Sequence, residues 1–263
     1  MGAEALQHQY LPVVWFRSSI YLWWVFLPSI GLNNQTEETR LNIMIRTLTL
    51  WLIWFGFIVY VLFFAPPLPA DAFQPLQSLL AGQIPLINPV LLSMFSLVGI
   101  WLLIYSSLIF PDGRMQSLPA WLFMLGSVAT GVIALIPYLA LRQPNQEFSG
   151  GQDLGLAIFD SRATGVILTI SAIALVLFAV LWGDWAGFVQ AFLTNRFVHG
   201  MSIAFVLFCV LFPYPTLLQD DMARRGLTPN SQLFWLIAWV PLFGPLAYLC
   251  LRPSLLAFRF RNS

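Results

Sequence analysis

The chain has 263 residues, of which 59% are hydrophobic and 9% charged, with a mean hydropathy of +0.80. Soluble globular domains carry about a quarter charged residues, so this composition excludes that class and indicates a multi-span membrane protein. A net charge of +1 provides no basic stripe to neutralise phosphates, which excludes a nucleic-acid partner.

All 12 basic residues are arginine, so no lysine-based chemistry is open to the chain; a compositional bias of the source genome is the favoured cause. Cys209 and Cys250 both fall in apolar stretches, where a free thiol behaves as a small apolar group.

Residues 1–43 form a polar lead followed by an aromatic stretch, 13–30, that carries Arg17 and ends near Pro28. Two readings stay open for 13–30: a tilted seventh span, or a helix in the interface with Arg17 snorkelling to water. No positive n-region precedes a short apolar run, so no cleavable signal peptide is expected. The first apolar span covers 44–64 and stops at Pro66-Pro67. A connection follows in which 73–81 has the make-up of a surface helix. Span two (89–110) ends at Pro111-Asp112-Gly113-Arg114, a sequence suited to a tight turn. Span three (119–141) contains Gly126, Ser127, Thr130 and Gly131, small residues that permit close helix contact.

The stretch 143–162 is the most polar loop and divides the chain. Beyond it come span four (163–182), a second surface segment (186–194), span five (197–217, interrupted by Pro213-Tyr214-Pro215) and span six (233–251). The tail, 253–263, has two arginines among aromatics and suits an interface anchor.

The halves 44–142 and 163–252 follow one plan. Asn88 to Arg142 is 54 positions and Asn195 to Arg252 is 57; Asp112 to Arg142 is 30 and Asp221 to Arg252 is 31. Both copies end Tyr-Leu-x-Leu-Arg. The bland alternative is that any two apolar hairpins look alike; the matched spacings favour a diverged repeat. Three spans per half is an odd number, so the copies should lie inverted to one another in the membrane. The expected fold is therefore an all-α polytopic membrane helix bundle of six (or seven) transmembrane helices in an inverted three-plus-three arrangement. On that topology an arginine count puts Arg40, Arg46, Arg114, Arg196, Arg252, Arg259 and Arg261 on the cytoplasmic (or stromal) face, joined by Arg17 if 13–30 does not span, with Arg142, Arg162, Arg224 and Arg225 opposite.

No span has a carboxylate near its middle, which weighs against proton-coupled carriers and intramembrane proteases. Phosphate-loop, Rossmann and nucleophile-elbow patterns are missing from the sequence, as are clustered metal ligands, so no catalytic residue and no metal site is expected. His199 opens span five; a lone histidine there could coordinate a chlorophyll magnesium or a haem, with a pigment the possible cofactor, but is more often a hydrogen-bonding interface residue. Asp112 with Arg114, and Asp220 and Asp221 with Arg224 and Arg225, should form ion pairs at the hairpin turns. Exposed pairs of that kind contribute little. Their functional reading is a surface that docks lipid headgroups or a partner's loop through arginine's bidentate fork.

The turns Pro111-Asp112-Gly113-Arg114 and Asp220-Asp221-Met222-Ala223-Arg224-Arg225 resemble those of uncharacterised multi-span proteins of cyanobacteria and chloroplasts. From Phe192 through Arg224-Arg225-Gly226 to Arg252, the C-terminal half also resembles a small bacterial membrane domain of unknown function. That domain often has Asp in the span after its Asn-Arg pair, where this chain has His199 to Ala204. The resemblance implies a thylakoid or plasma membrane setting rather than an activity. The leading expectation is a non-catalytic auxiliary or assembly protein, surrounded by lipid and associated with a larger membrane complex. The alternative is a small-solute or lipid transporter.

Overall fold

In a computed structural model of the chain, the described residues are 35–69, 88–148, 153–214, 216–228, 232, 237 and 240–255. The stretches 13–30, 73–81 and 256–263, and most of 229–239, lie outside them, as do the expectations placed there. The chain divides into two units, 1–43 and 44–263. Of the first, only the opening turns of α1 are described.

The described residues form ten α-helices and no strand. They are α1 (Gln35–Val59, continued by a π-helical turn, Tyr60–Phe64), α2 (Pro89–Gly113), α3 (Ala120–Thr130) and α4 (Val132–Leu141). After the polar loop come α5 (Leu154–Asp160), α6 (Arg162–Trp182), α7 (Trp185–Thr194), α8 (Arg196–Leu211), α9 (Leu217–Arg224) and α10 (Phe243–Leu251). Local chemistry sets many of the boundaries. The side chains of Asn88, Asp153, Ser161, Asp184 and Asn195 each accept a backbone N–H at a helix start. Asn88 and Asn195 hold equivalent places in the two halves.

Three helices are long and apolar enough to cross a membrane: Arg40–Phe64, α2 and α6. The α7–α8 pair, bent by 102°, makes a fourth if taken as one span. Six or seven crossings are therefore not reached among the described residues, and the reason lies in the stretch expected to be span three. It is two helices of 11 and 10 residues, broken at Gly131, where φ is +62°. Eleven residues rise only about 16 Å, half of a bilayer's hydrocarbon core. The chain reverses at Gly131, and a Cβ on Gly126 would sit 3.1 Å from that of Ala134 across the hairpin. At its end Arg142 comes back to Asp112, beside which the hairpin began.

The second half repeats the device. Leu242 takes φ +65°, the chain turns, the carbonyl of helical Ile237 faces Gly244, and α10 returns Arg252 to Asp221. A hairpin that leaves by the end it entered does not carry the chain along the bundle, so among the described residues both halves run the same way. The inverted arrangement is thereby overturned. Arg224 of the second half bonds Asp112 of the first at 2.5 Å, so the two corners share one end of the bundle. At the other end Asn88 reaches the Asp184 carbonyl, and Arg196 reaches the carbonyls of Pro66 and Pro67. The halves are related by a pseudo-two-fold axis along the bundle, not across it.

On that axis α2 packs against α8 through matched aromatics. Trp101 stacks on Phe208 (centroids 6.4 Å, 9° between planes), and Tyr105 meets Phe212 edge-on at 5.7 Å. Each pair is 107 positions apart, the offset that also separates Asn88 from Asn195. The Tyr105 hydroxyl donates to the Phe208 carbonyl. Outside this centre, α1, α3 and α6 carry large exposed apolar side chains, as helices facing lipid do.

Candidate functional site

At one end of the bundle seven charged residues lie inside the protein, none more than 3% exposed: Asp112, Arg142, Asp220, Asp221, Arg224, Arg225 and Arg252. They form two adjoining networks. In the first, Arg142 grips Asp112 with its fork, Nη2 to Oδ1 at 2.7 Å and Nε to Oδ2 at 2.9 Å. The Tyr138 hydroxyl donates to the same Oδ2 at 2.7 Å. Arg224 adds a fourth bond to Asp112, at 2.5 Å, and Arg142 reaches Asp220 at 2.5 Å. Arg46 joins from α1, donating to the Arg142 carbonyl and the Thr216 hydroxyl.

The second network uses the equivalent residues. Tyr248 donates to Asp221 at 2.6 Å, as Tyr138 does to Asp112. Arg225 grips Asp221 with its fork and also reaches Asp160 at 2.6 Å. Arg252 lies 3.5 Å from Asp221 and 3.4 Å from Asp160. The exchange between halves is reciprocal. Arg142 bonds Thr216, five positions before Asp221, and Arg252 bonds the carbonyl of Ser107, five positions before Asp112.

The sequence builds this from short spacings. Tyr138 and Arg142 are four apart and so share one face of α4. Tyr248 and Arg252 do the same on α10. Asp112 lies in the last turn of α2, which runs on through Pro111. The tight turn expected at 111–114 is instead helix end, and Gly113 serves for closeness, since Ala120 occupies the place its Cβ would take. On α9, Asp221 and Arg225 are an i,i+4 pair, whereas Arg224 points to the other half.

Burial alone would push a carboxyl up. For Asp221 the adjacent Arg225 and Arg252 outweigh it and hold the group at about 2. Asp220 lies above its ordinary value, because burial outweighs Arg142 and the Asn145 N–H.

Asp112, Asp220, Asp221, Arg224 and Arg225 were expected at an exposed docking surface. Being buried and bonded to one another, they present none; only Arg114, paired with Asp153, is on the surface. Both ring nitrogens of His199 are engaged. Nδ1 faces the Phe192 carbonyl at 2.9 Å and must carry the proton, because a carbonyl can only accept. Nε2 lies 2.8 Å from the Tyr60 hydroxyl, so both ring nitrogens have protein partners. No group of three metal-ligating side chains occurs among the described residues.

No family model, curated protein or solved structure matches this chain. The networks themselves are thus the guide to function. Tyr138, Arg142, Asp160, Tyr248 and Arg252 are members that the sequence reading passed over. The signal was present in the repeated Tyr-Leu-x-Leu-Arg endings, which place a phenol and a guanidinium on one helical face.

Proposed function

We propose that this protein is a small-solute or lipid transporter in which two parallel repeats work against each other. The observation that carries the reading is the cross-half ion network at one end of the bundle, formed where the duplicated helical hairpins begin and end. Parallel repeats related by an axis along the membrane normal, with broken helices lining the path between them, are a recurring transporter design. An ionisable residue inside a membrane bundle is costly to place there and by default marks a functional site. On this reading α1, α2, α6 and α8 cross the bilayer and the hairpins dip into it from one face. The Asp112–Arg142–Arg224–Asp220 network is the latch that closes that face.

Seven arginines of 44–252 belong to the latch end (Arg46, Arg114, Arg142, Arg162, Arg224, Arg225 and Arg252), against Arg196 at the other. This bias makes the latch end cytoplasmic (or stromal). The test is flux in proteoliposomes, measured for a panel of labelled solutes and for transbilayer movement of fluorescent lipid. Wild-type protein should move at least one of them, and Arg224→Gln should change that rate. A flat response across the whole panel removes the proposal.

A second reading, an auxiliary protein bound to a larger membrane complex, is favoured by the exposed apolar side chains of Trp185, Val189 and Leu193 along α7. Gentle detergent extraction and native-gel mobility test it; migration only as a small free species counts against it. A thylakoid setting rests on the resemblance of the two turns.

A further inference from the structure

The two networks differ in their charge balance. The second sets Arg225 and Arg252 against Asp160 and Asp221, two against two. The first sets Arg46, Arg142 and Arg224 against Asp112 and Asp220, a surplus of one positive charge. Buried guanidinium N–H groups without a partner occur in both networks, one in the second (Arg252 Nε) and three in the first. Arg224 is 1% exposed and spends only Nη2, on Asp112 and the Asn145 carbonyl; its Nε and Nη1 have no partner. Arg46 is 6% exposed and its Nε likewise has none. Guanidinium N–H groups taken out of water without an acceptor are strongly unfavourable, and native proteins satisfy such groups with water or an ion.

We propose that the first network binds a small monovalent anion, of chloride size, against the unpartnered N–H groups of Arg224, with Arg46 contributing the surplus charge that the ion offsets. One negative charge cancels the surplus, whereas a dianion such as sulfate overshoots it. Deep burial favours a compact ion over a lipid headgroup, which would have to keep its phosphate attached to a chain at the surface. A water molecule would satisfy donors but leave the charge unbalanced in a low-dielectric setting. The inference stands independently of transport: a resident ion can hold the latch closed whether or not a solute passes.

The test uses the full chain in detergent. Thermal unfolding is followed while chloride replaces a large organic sulfonate at constant ionic strength, so that screening stays fixed. The melting temperature should rise saturably, by roughly 5 °C at 100 times the dissociation constant. Arg46→Gln, which removes the surplus charge, should abolish the dependence. Crystals grown in bromide should show an anomalous peak beside Arg224, and this second measurement stands even where the variant fails to fold. A melting temperature indifferent to chloride, or a bromide crystal with water beside Arg224, overturns the proposal. A chloride response that persists undiminished in Arg46→Gln overturns the assignment to this network.

Discussion

Asp112→Asn tests the central idea that buried charges, not only apolar packing, hold the two halves in register. Asp112 accepts four bonds: one from Tyr138, two from Arg142 and one from Arg224. Asparagine keeps the shape but offers one carbonyl oxygen, and its NH2 would face guanidinium donors. About half of the bonds are lost, and two buried guanidinium groups lose their shared counter-charge. Hydrogen bonds to charged groups contribute about 1.5–3 kcal/mol each, and breaking a buried ion pair by removing one partner costs about 3–5 kcal/mol. The expected destabilisation is therefore about 4 kcal/mol, a large part of the 5–15 kcal/mol that typically separates folded from unfolded. For a chain of this size that lowers the melting temperature by roughly 7 °C. Tryptophan fluorescence during heating, in detergent at fixed chloride, reads it. Asp153→Asn is the control, because Asp153 meets Arg114 at the surface and its loss should scarcely register. If both variants melt alike, the network does not hold the halves together and the reasoning fails.

Four further outcomes are expected. With Cys209 and Cys250 replaced by alanine, Ser117→Cys and Gln143→Cys should both react with a membrane-impermeant maleimide from the same side, since Gln116 and Gln143 bond one another; labelling from opposite sides would restore a crossing helix at 119–141. Tyr138→Phe and Tyr248→Phe should each cost about 1–2 kcal/mol, and a large inequality in denaturation midpoints would count against the pseudo-two-fold equivalence. Gly165→Leu should destabilise by at least 1–3 kcal/mol, because a Cβ there would lie 2.7 Å from the Leu249 carbonyl carbon; wild-type stability would show that α6 and α10 do not pack so closely. Lastly, the Asp221 carboxyl is held at about 2 against an ordinary 3.8. Its folded value is depressed, so its contribution is complete above about pH 4 and is lost as pH falls towards 2. Acid titration of Asp221→Asn should lack that component, and an unchanged acid limb would refute the assignment.

Much of this architecture is legible in the residues themselves. The apolar runs, the asparagine caps and the divide at 143–162 follow from composition and helix-start chemistry. The repeat could be read from the Asp-to-Arg spacing of 30 and 31. The direction of the second copy could not, because it depends on whether 119–141 crosses. A mostly apolar stretch of that length looks like a span whether straight or folded back, and the decision rests on Gly131 adopting a positive φ. Leu242 does the same in the second copy without a glycine to announce it. That one ambiguity inverted the topology and moved Arg142 to the wrong end. It also made Asp112 and Asp221 look like exposed turn residues, although each is enclosed by a tyrosine and an arginine from a returning helix.

Asp112 and Arg224 are 112 positions apart. At about 5–20 residues per second of synthesis, the carboxylate waits roughly 6–22 s for its second arginine to be made. Throughout that interval the N-terminal repeat exists with an incomplete set of counter-ions. It cannot complete the set with another copy of itself, since nothing in it corresponds to Arg224 or Asp220. A truncated chain should therefore be a poor membrane resident and a ready substrate for quality-control proteases. A chain that includes both repeats, by contrast, carries in its ionic core a built-in record that translation has passed Arg224.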